Sequence, residues 1–156
     1  MAEPRVHEGE LDASGKKFAL VVSRYNDFVG NRLVEGSKDT LLRHGADPES
    51  IEIYKVPGSF EIPLTARRVA ESGRFDAVVC LGAVIRGETP HFDFVAGQAA
   101  RGVNQVSLDT DVPVVFGVIT TDTLEQAIDR AGARTGNRGA EATLAAVEMA
   151  NLMENI

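Results

Sequence analysis

The sequence predicts an α/β protein, a three-layer α/β/α sandwich on a four-stranded parallel sheet with elements in the order βαβαβαβαα. Three observations predict it. Apolar runs rich in β-branched residues occupy residues 18–22, 51–56, 77–85 and 112–119. Segments of helical period lie between and after them, at 29–43, 62–72, 92–108, 124–131 and 140–153. The runs are continuously apolar rather than alternating, which implies burial on both faces and βαβ crossovers.

Taken in order, residues 1–14 are polar, draw most of their charge from Glu and Asp, and show neither period. They are expected to form a flexible arm or edge segment ahead of one domain at 15–156. The first strand and helix follow, joined by a loop at 23–28. Pro63 then marks the start of the second helix, because a missing N–H costs little only in a first turn. The third strand is the longest and most apolar, and Cys80 among Val78, Val79 and Leu81 reads as a small buried side chain. In the final segment Ala142, Leu144, Ala145, Val147, Ala150 and Leu152 form a wide apolar stripe built from good helix formers.

A chain of 156 residues with 44% apolar content is sized for one domain and one ordinary core. Its net charge of −7 argues against a surface built to grip nucleic acid or anionic lipid. No apolar run approaches the ~18 residues of a membrane span, and the opening residues lack the apolar centre of a secretory signal. The single cysteine excludes an internal disulfide and a multi-thiolate zinc site. The expected setting is the cytoplasm, with no membrane and no nucleic-acid partner.

Open parallel sheets bind ligands beyond the carboxyl ends of their strands. Here those loops are 23–28, 57–61, 86–91 and 120–123, and they carry Arg24, Tyr25, Asn26, Asp27, Phe28, Phe60, Glu61, Arg86, Glu88 and His91. Turn geometry alone would not ask for three aromatics and a histidine.

The most informative stretch is Gly82-Ala-Val-Ile-Arg-Gly-Glu-Thr-Pro-His91. It passes from a strand through a glycine turn into a helix, with Thr89 suited to the N-cap and Pro90 to the first helical position. Free amides there offer an anion site at the positive helix end. The spacing nearly spells a P-loop, but Glu88 stands in place of the lysine and would repel a triphosphate, so the NTPase reading is rejected. A smaller phosphate fits. His91 falls in the first turn, where the helix dipole disfavours the imidazolium and a neutral ring can pass a proton either way. His7, in the arm, and His44, at a helix end, read as solvated, and no second ligand stands at metal spacing.

Pro57-Gly-Ser-Phe-Glu-Ile-Pro63 sets free amides, the Phe60 ring and the Glu61 carboxylate side by side, a combination suited to a planar polar heterocycle bearing hydroxyls. A staple role for Phe60 is the alternative. Phe116-Gly117 inside the fourth strand reads as a core step, and Arg130 as a surface cation paired with a carboxylate such as Glu125. Gly132-Ala-Arg-Thr-Gly-Asn-Arg-Gly139 links two helices and follows no strand, which excludes a dinucleotide fingerprint.

Together these stretches resemble the 6,7-dimethyl-8-ribityllumazine synthase family of riboflavin biosynthesis, over residues 16–154. The likeness rests on Arg24-Tyr-Asn-Asp-Phe28, the 57–63 and 82–91 stretches, Phe116-Gly-Val-Ile-Thr-Thr121 and Gly136-Asn-Arg-Gly139. It implies a flavodoxin-like fold and a transferase that condenses 5-amino-6-(D-ribitylamino)uracil with 3,4-dihydroxy-2-butanone 4-phosphate, without metal or organic cofactor. By the same resemblance Tyr25 stacks on the pyrimidine, Ser59, Phe60 and Glu61 hold its ring and ribityl chain, and Ala83, Val84 and Ile85 border it. Phe116 matches an aromatic lent across a subunit boundary. Glu88 and Thr89 match the phosphate-binding turn with Arg130 as its cation, and His91 matches the proton-transfer residue. Asn26 and Arg138 are further candidates.

Three positions depart from the family pattern: Tyr25 where Phe or Trp is common, Ala83 where Thr is common, and Arg138 where Lys is common. The resemblance also implies a homo-oligomer, a pentamer. The short link at 132–137 is similar to that of relatives that build icosahedral shells, for which a riboflavin synthase is the candidate guest. A catalytically silent relative and a flavodoxin-like cofactor carrier are the competing readings.

Overall fold

The alternating pattern folds as its spacing dictates. In the computed structural model, which describes residues 1–134 and 136–156, β1 (Phe18–Ser23) leads into α1 (Asp27–Arg43) and β2 (Ile51–Val56) into α2 (Ile62–Glu71). β3 (Ala77–Ile85) leads into α3 (His91–Thr110), and β4 (Val114–Thr121) into α4 (Leu124–Arg130) and α5 (Arg138–Glu154). Thr135, inside the glycine-rich link, lies outside the described residues. The four strands are parallel in the order β2-β1-β3-β4, with Val21 beside Tyr54 on one side and Cys80 on the other.

Strand side chains alternate between faces, so each central strand feeds two cores. Phe18, Leu20 and Val22 of β1 and Val79, Leu81 and Ala83 of β3 bury against Leu33 and Leu41 of α1 and Ala146, Val147 and Ala150 of α5. On the other face Ala19, Val21, Val78 and Cys80 meet Ile62, Ala66 and Val69 of α2 and Val103 and Val106 of α3. The sandwich thus has α1 and α5 on one side and α2 and α3 on the other.

The structure corrects the sequence reading in four places. β2 is buried only at Val56, because an edge strand has one neighbour and leaves Ile53 and Lys55 to solvent. β4 begins and ends two residues later than the apolar run. Val112 instead closes the end of α3, where the Ser107 hydroxyl donates to the Val112 carbonyl (2.9 Å) and accepts from the Val114 amide (3.1 Å), while the Pro113 carbonyl accepts from the Val78 amide (2.9 Å). Two 3-10 turns, Pro48–Ser50 and Ser59–Glu61, precede β2 and α2. His44 is half-buried rather than solvated, its Nδ1 lying 2.6 Å from the Thr40 carbonyl oxygen.

α1 and α5 approach so closely that a Cβ on Gly139 would collide with the Leu33 carbonyl oxygen. Asn137 locks this contact. Its Oδ1 caps α5 at the Ala140 amide (3.1 Å), while its Nδ2 donates to the Arg32 carbonyl (3.0 Å) and the Ala131 carbonyl (3.3 Å). Ahead of β1, Asn151 of α5 donates to the Glu10 (2.6 Å) and Asp12 (2.9 Å) carbonyls, Ala13 is fully buried, and Lys16 pairs with Glu154. Among the described residues no helix is long and apolar enough to cross a membrane.

Cys80 sits in the core beneath α2 and α3, and burial pushes its thiol up to about 12. Only the thiolate reacts, so at pH 8 roughly one molecule in 10⁴ is poised to do so. Ellman's reagent should therefore leave the folded protein unlabelled at pH 8 and titrate one thiol per chain once guanidinium unfolds it. Rapid native labelling would contradict this burial.

Candidate active site

The carboxyl ends of β1, β2 and β3 open into a cleft of about 760 Å³. Backbone pairing continues past the strands to shape it: the Arg24 amide donates to the Val56 carbonyl (2.8 Å) and the Tyr25 amide to the Pro57 carbonyl (3.2 Å). Asn26 follows in the left-handed conformation (φ 60°, ψ 43°), and its Nδ2 donates to the Ala83 carbonyl at the end of β3 (3.1 Å). Asn tolerates that conformation better than most residues. The β1 loop is thus tied to both neighbouring strands, and Tyr25 is held at the mouth with 73% of its surface exposed.

The second wall comes from the 3-10 turn. Its Glu61 amide donates to the Gly58 carbonyl (3.2 Å), and the Phe60 ring is 57% exposed beside Ser59, which is buried. Gly82, just before the cleft-lining Ala83, has no room for a side chain, because a Cβ there would press on the hydroxyls of Ser23 and Ser59. The Ser23 hydroxyl is buried without a hydrogen-bond partner among the described residues.

The third wall is the turn after β3. Arg86 anchors it through the Asp122 carboxylate (Nε to Oδ1, 2.9 Å), the Asp93 carboxylate (3.5 Å) and the Phe92 ring, 4.3 Å from the guanidinium. The hydrogen bond it donates to Asp122, outweighing desolvation, holds that guanidinium more firmly protonated than usual. One expectation needs correction here. Helix α3 starts at His91, with Pro90 rather than Thr89 at the cap position. The Thr89 hydroxyl does accept from the His91 amide, but at 3.4 Å that bond is too long to draw Thr89 and Pro90 into the helix.

Of the residues singled out from the sequence, Tyr25, Asn26, Ser59, Phe60, Glu61, Ala83, Val84, Ile85, Thr89 and His91 all line this one cleft. Glu88, Phe116, Arg130 and Arg138 do not. Glu88 is exposed on the turn. Phe116 lies mid-strand beside Cys80, packed against the α2–α3 core. Arg130 donates to the Gln126 carbonyl (3.3 Å) rather than pairing with Glu125, and Arg138 pairs with Glu141 (3.3 Å). The 120–123 loop stays off the lining. The sequence reading missed Phe92, Phe94 and Val95 of α3, which line the cleft with His91. Their signal was available, since Phe94 and Val95 stand three and four residues beyond His91 and share its helix face.

The sequence model of 6,7-dimethyl-8-ribityllumazine synthase matches residues 15–154. The chain belongs to the 6,7-dimethyl-8-ribityllumazine synthase family. It is also 58% identical over 149 residues to the 6,7-dimethyl-8-ribityllumazine synthase of Prosthecochloris aestuarii, covering 96% of each chain. The family match spans every strand and helix that builds the cleft, so the whole site lies within family territory.

Asn26 offers a direct check on how the cleft mouth is held. Replacing it with Ala removes the bond to Ala83, worth about 0.5–1.5 kcal/mol, and forces a Cβ residue into the left-handed region at a further ~1–2 kcal/mol. Asn26→Gly loses only the bond. Urea unfolding should therefore rank wild type above Asn26→Gly above Asn26→Ala; equal stability of all three would deny the bond any part in the loop.

Proposed function

We propose that this cleft condenses 5-amino-6-(D-ribitylamino)uracil with 3,4-dihydroxy-2-butanone 4-phosphate to give phosphate, water and 6,7-dimethyl-8-ribityllumazine, the product for which the family is named. One observation carries the reading. Two exposed aromatic rings, a carboxylate and an imidazole at a helix N-terminus share a single opening beyond the strand ends.

Tyr25 and Phe60 offer faces to a flat pyrimidine, with Ala83, Val84 and Ile85 along its edge. Ser59 and Glu61 take hydrogen bonds from the ring and the ribityl hydroxyls. The ester phosphate sits on the 87–89 turn, held by backbone amides and the Thr89 hydroxyl at the positive end of α3. Glu88 flanks that turn. The uracil amine attacks the ketone and water leaves to give the imine. Phosphate is then eliminated, and the ribitylamino nitrogen closes the ring with loss of a second water. His91 moves the protons, taking one from the attacking amine and giving one to the departing hydroxyl. Both reactants are intrinsically reactive, so holding them in register supplies much of the rate.

None of Phe116, Arg130 and Arg138 lines the cleft of one chain. Exposed Phe94 and Leu108, at 67% and 68%, leave apolar surface on the cleft-forming helix. Both features support a homo-oligomer in which a neighbouring copy lends Phe116 and Arg130, with the α4–α5 link short enough for a pentamer to close into an icosahedral shell. A riboflavin synthase is the guest such a shell would hold, and the cytoplasm the compartment.

Two measurements test this. Purified protein mixed with both substrates should develop lumazine absorbance and fluorescence, and His91→Ala should lower kcat about 10²-fold, the low end of the general acid–base range, while pyrimidine affinity is unchanged. Unchanged turnover would remove His91 from its role. Light scattering should find a particle many times larger than a pentamer; a lone pentamer would refute the shell and leave the chemistry standing.

A further inference from the structure

We propose that Arg86 is a positioning residue for this reaction, a brace that fixes the 87–90 turn and the first turn of α3 so that Thr89 and His91 meet the phosphate substrate in register. The inference rests on the function proposed above and adds a residue to it.

The turn needs a brace. Residues 86–91 are all exposed, a Cβ at Gly87 would meet nothing within 4 Å, and the hydrogen bond from the His91 amide to the Thr89 hydroxyl is long at 3.4 Å. Nothing in the turn itself holds it rigid. Arg86 supplies what it lacks from two directions. Its amide donates to the Thr121 carbonyl (2.9 Å), continuing the β3–β4 ladder, and its Nε donates to Asp122 just beyond β4 (2.9 Å). The same guanidinium reaches forward to Asp93 (3.5 Å) and covers the Phe92 ring at 4.3 Å, and these two residues directly follow His91.

The far anchor is itself fixed. The Asp122 amide donates to the Gln126 side chain (2.9 Å), and Gln126 belongs to the capping box that Thr123 forms at the start of α4. Rigidity thus passes from α4 through Asp122 and Arg86 to the start of α3. Arginine suits this task where lysine would not, because a planar cation can stack on a ring while its edge meets two carboxylates. The pyrimidine contacts at Tyr25, Phe60 and Glu61 stand on the other two loops, and those at Ala83, Val84 and Ile85 belong to β3, held by its own ladder to β4. A displacement of about 1 Å at a reacting group can cost 10²-fold in rate, so a loosened turn should be felt in catalysis and in the phosphate substrate alone.

The test is steady-state kinetics with each substrate varied in turn, on wild type, Arg86→Ala, Arg86→Lys and Asp122→Asn, with thermal unfolding of each. Arg86→Ala is expected to raise KM for the butanone phosphate about 5–10-fold and lower kcat about tenfold, with KM for the pyrimidine within twofold of wild type. Asp122→Asn should move the same parameters by less, and Arg86→Lys should recover part of the loss. The double variant Arg86→Ala/Asp122→Asn should be no worse than Arg86→Ala, since both remove one contact. Unchanged kinetics in Arg86→Ala, or an equal rise in both KM values, would overturn the brace. Wild-type protein that formed no lumazine would instead overturn the proposed function and the brace with it.

Discussion

A parallel sheet sends the carboxyl end of every strand to the same edge, and the site depends on that constraint more than on any single side chain. β1 is fully buried and β3 nearly so, each wedged between two helical layers, so their ends cannot shift without disturbing both cores. The loops that leave them start from fixed points. The aromatic mouth, the carboxylate turn and the imidazole helix have no common neighbourhood in the chain, and only the strand order β2-β1-β3 brings them together. Gly82 shows how tightly these strand ends are set, since even a methyl group there would displace the Ser23 and Ser59 hydroxyls.

Most of the architecture was legible because strand burial and helix burial leave different periods in the sequence. β3 was readable to the residue, being buried on both faces and bounded by Asp76 and the Arg86 turn. The errors fall where local pattern competes with a distant partner. Val112 looks like strand, yet the Ser107 hydroxyl takes its carbonyl to finish α3. Ile53 looks buried, yet an edge strand gives it no second neighbour. The 3-10 turn at Ser59–Glu61 is too short to leave any period at all. His91 could be placed at a helix start from Thr89 and Pro90, but Phe94 and Val95 join the lining only when the helix face three and four residues beyond it is followed.

On the function proposed above, recognition of the phosphate ester would work here without the usual lysine. At the position where a nucleotide-binding loop would carry a cation, this turn carries Glu88, which is exposed. The attraction left to the turn is that of amide dipoles at the start of α3, about half a positive charge. Such a site would grip a singly esterified phosphate and release it, which suits the proposed reaction, in which phosphate is a leaving group. A cation brought by a second copy of the chain would strengthen the grip only when the oligomer is complete, so assembly and affinity would rise together.

On the proposed reading, the division of labour among the three loops would follow from what each ligand demands. A flat heterocycle needs broad exposed faces, and exposed aromatic surface costs solvation until a ligand covers it; Tyr25 and Phe60 carry that cost because the backbone beneath them is pinned, at Tyr25 by Pro57 and Asn26, at Phe60 by the 3-10 turn. A phosphate needs aligned N–H groups, which demands a turn free of side-chain crowding and therefore one with little rigidity of its own. Gly87 supplies the freedom and Arg86, next to it, takes the freedom away. Where catalysis is mostly a matter of register, a flexible binding turn is useful only if something outside it sets its position, and in this fold that something is the neighbouring strand end carrying Asp122.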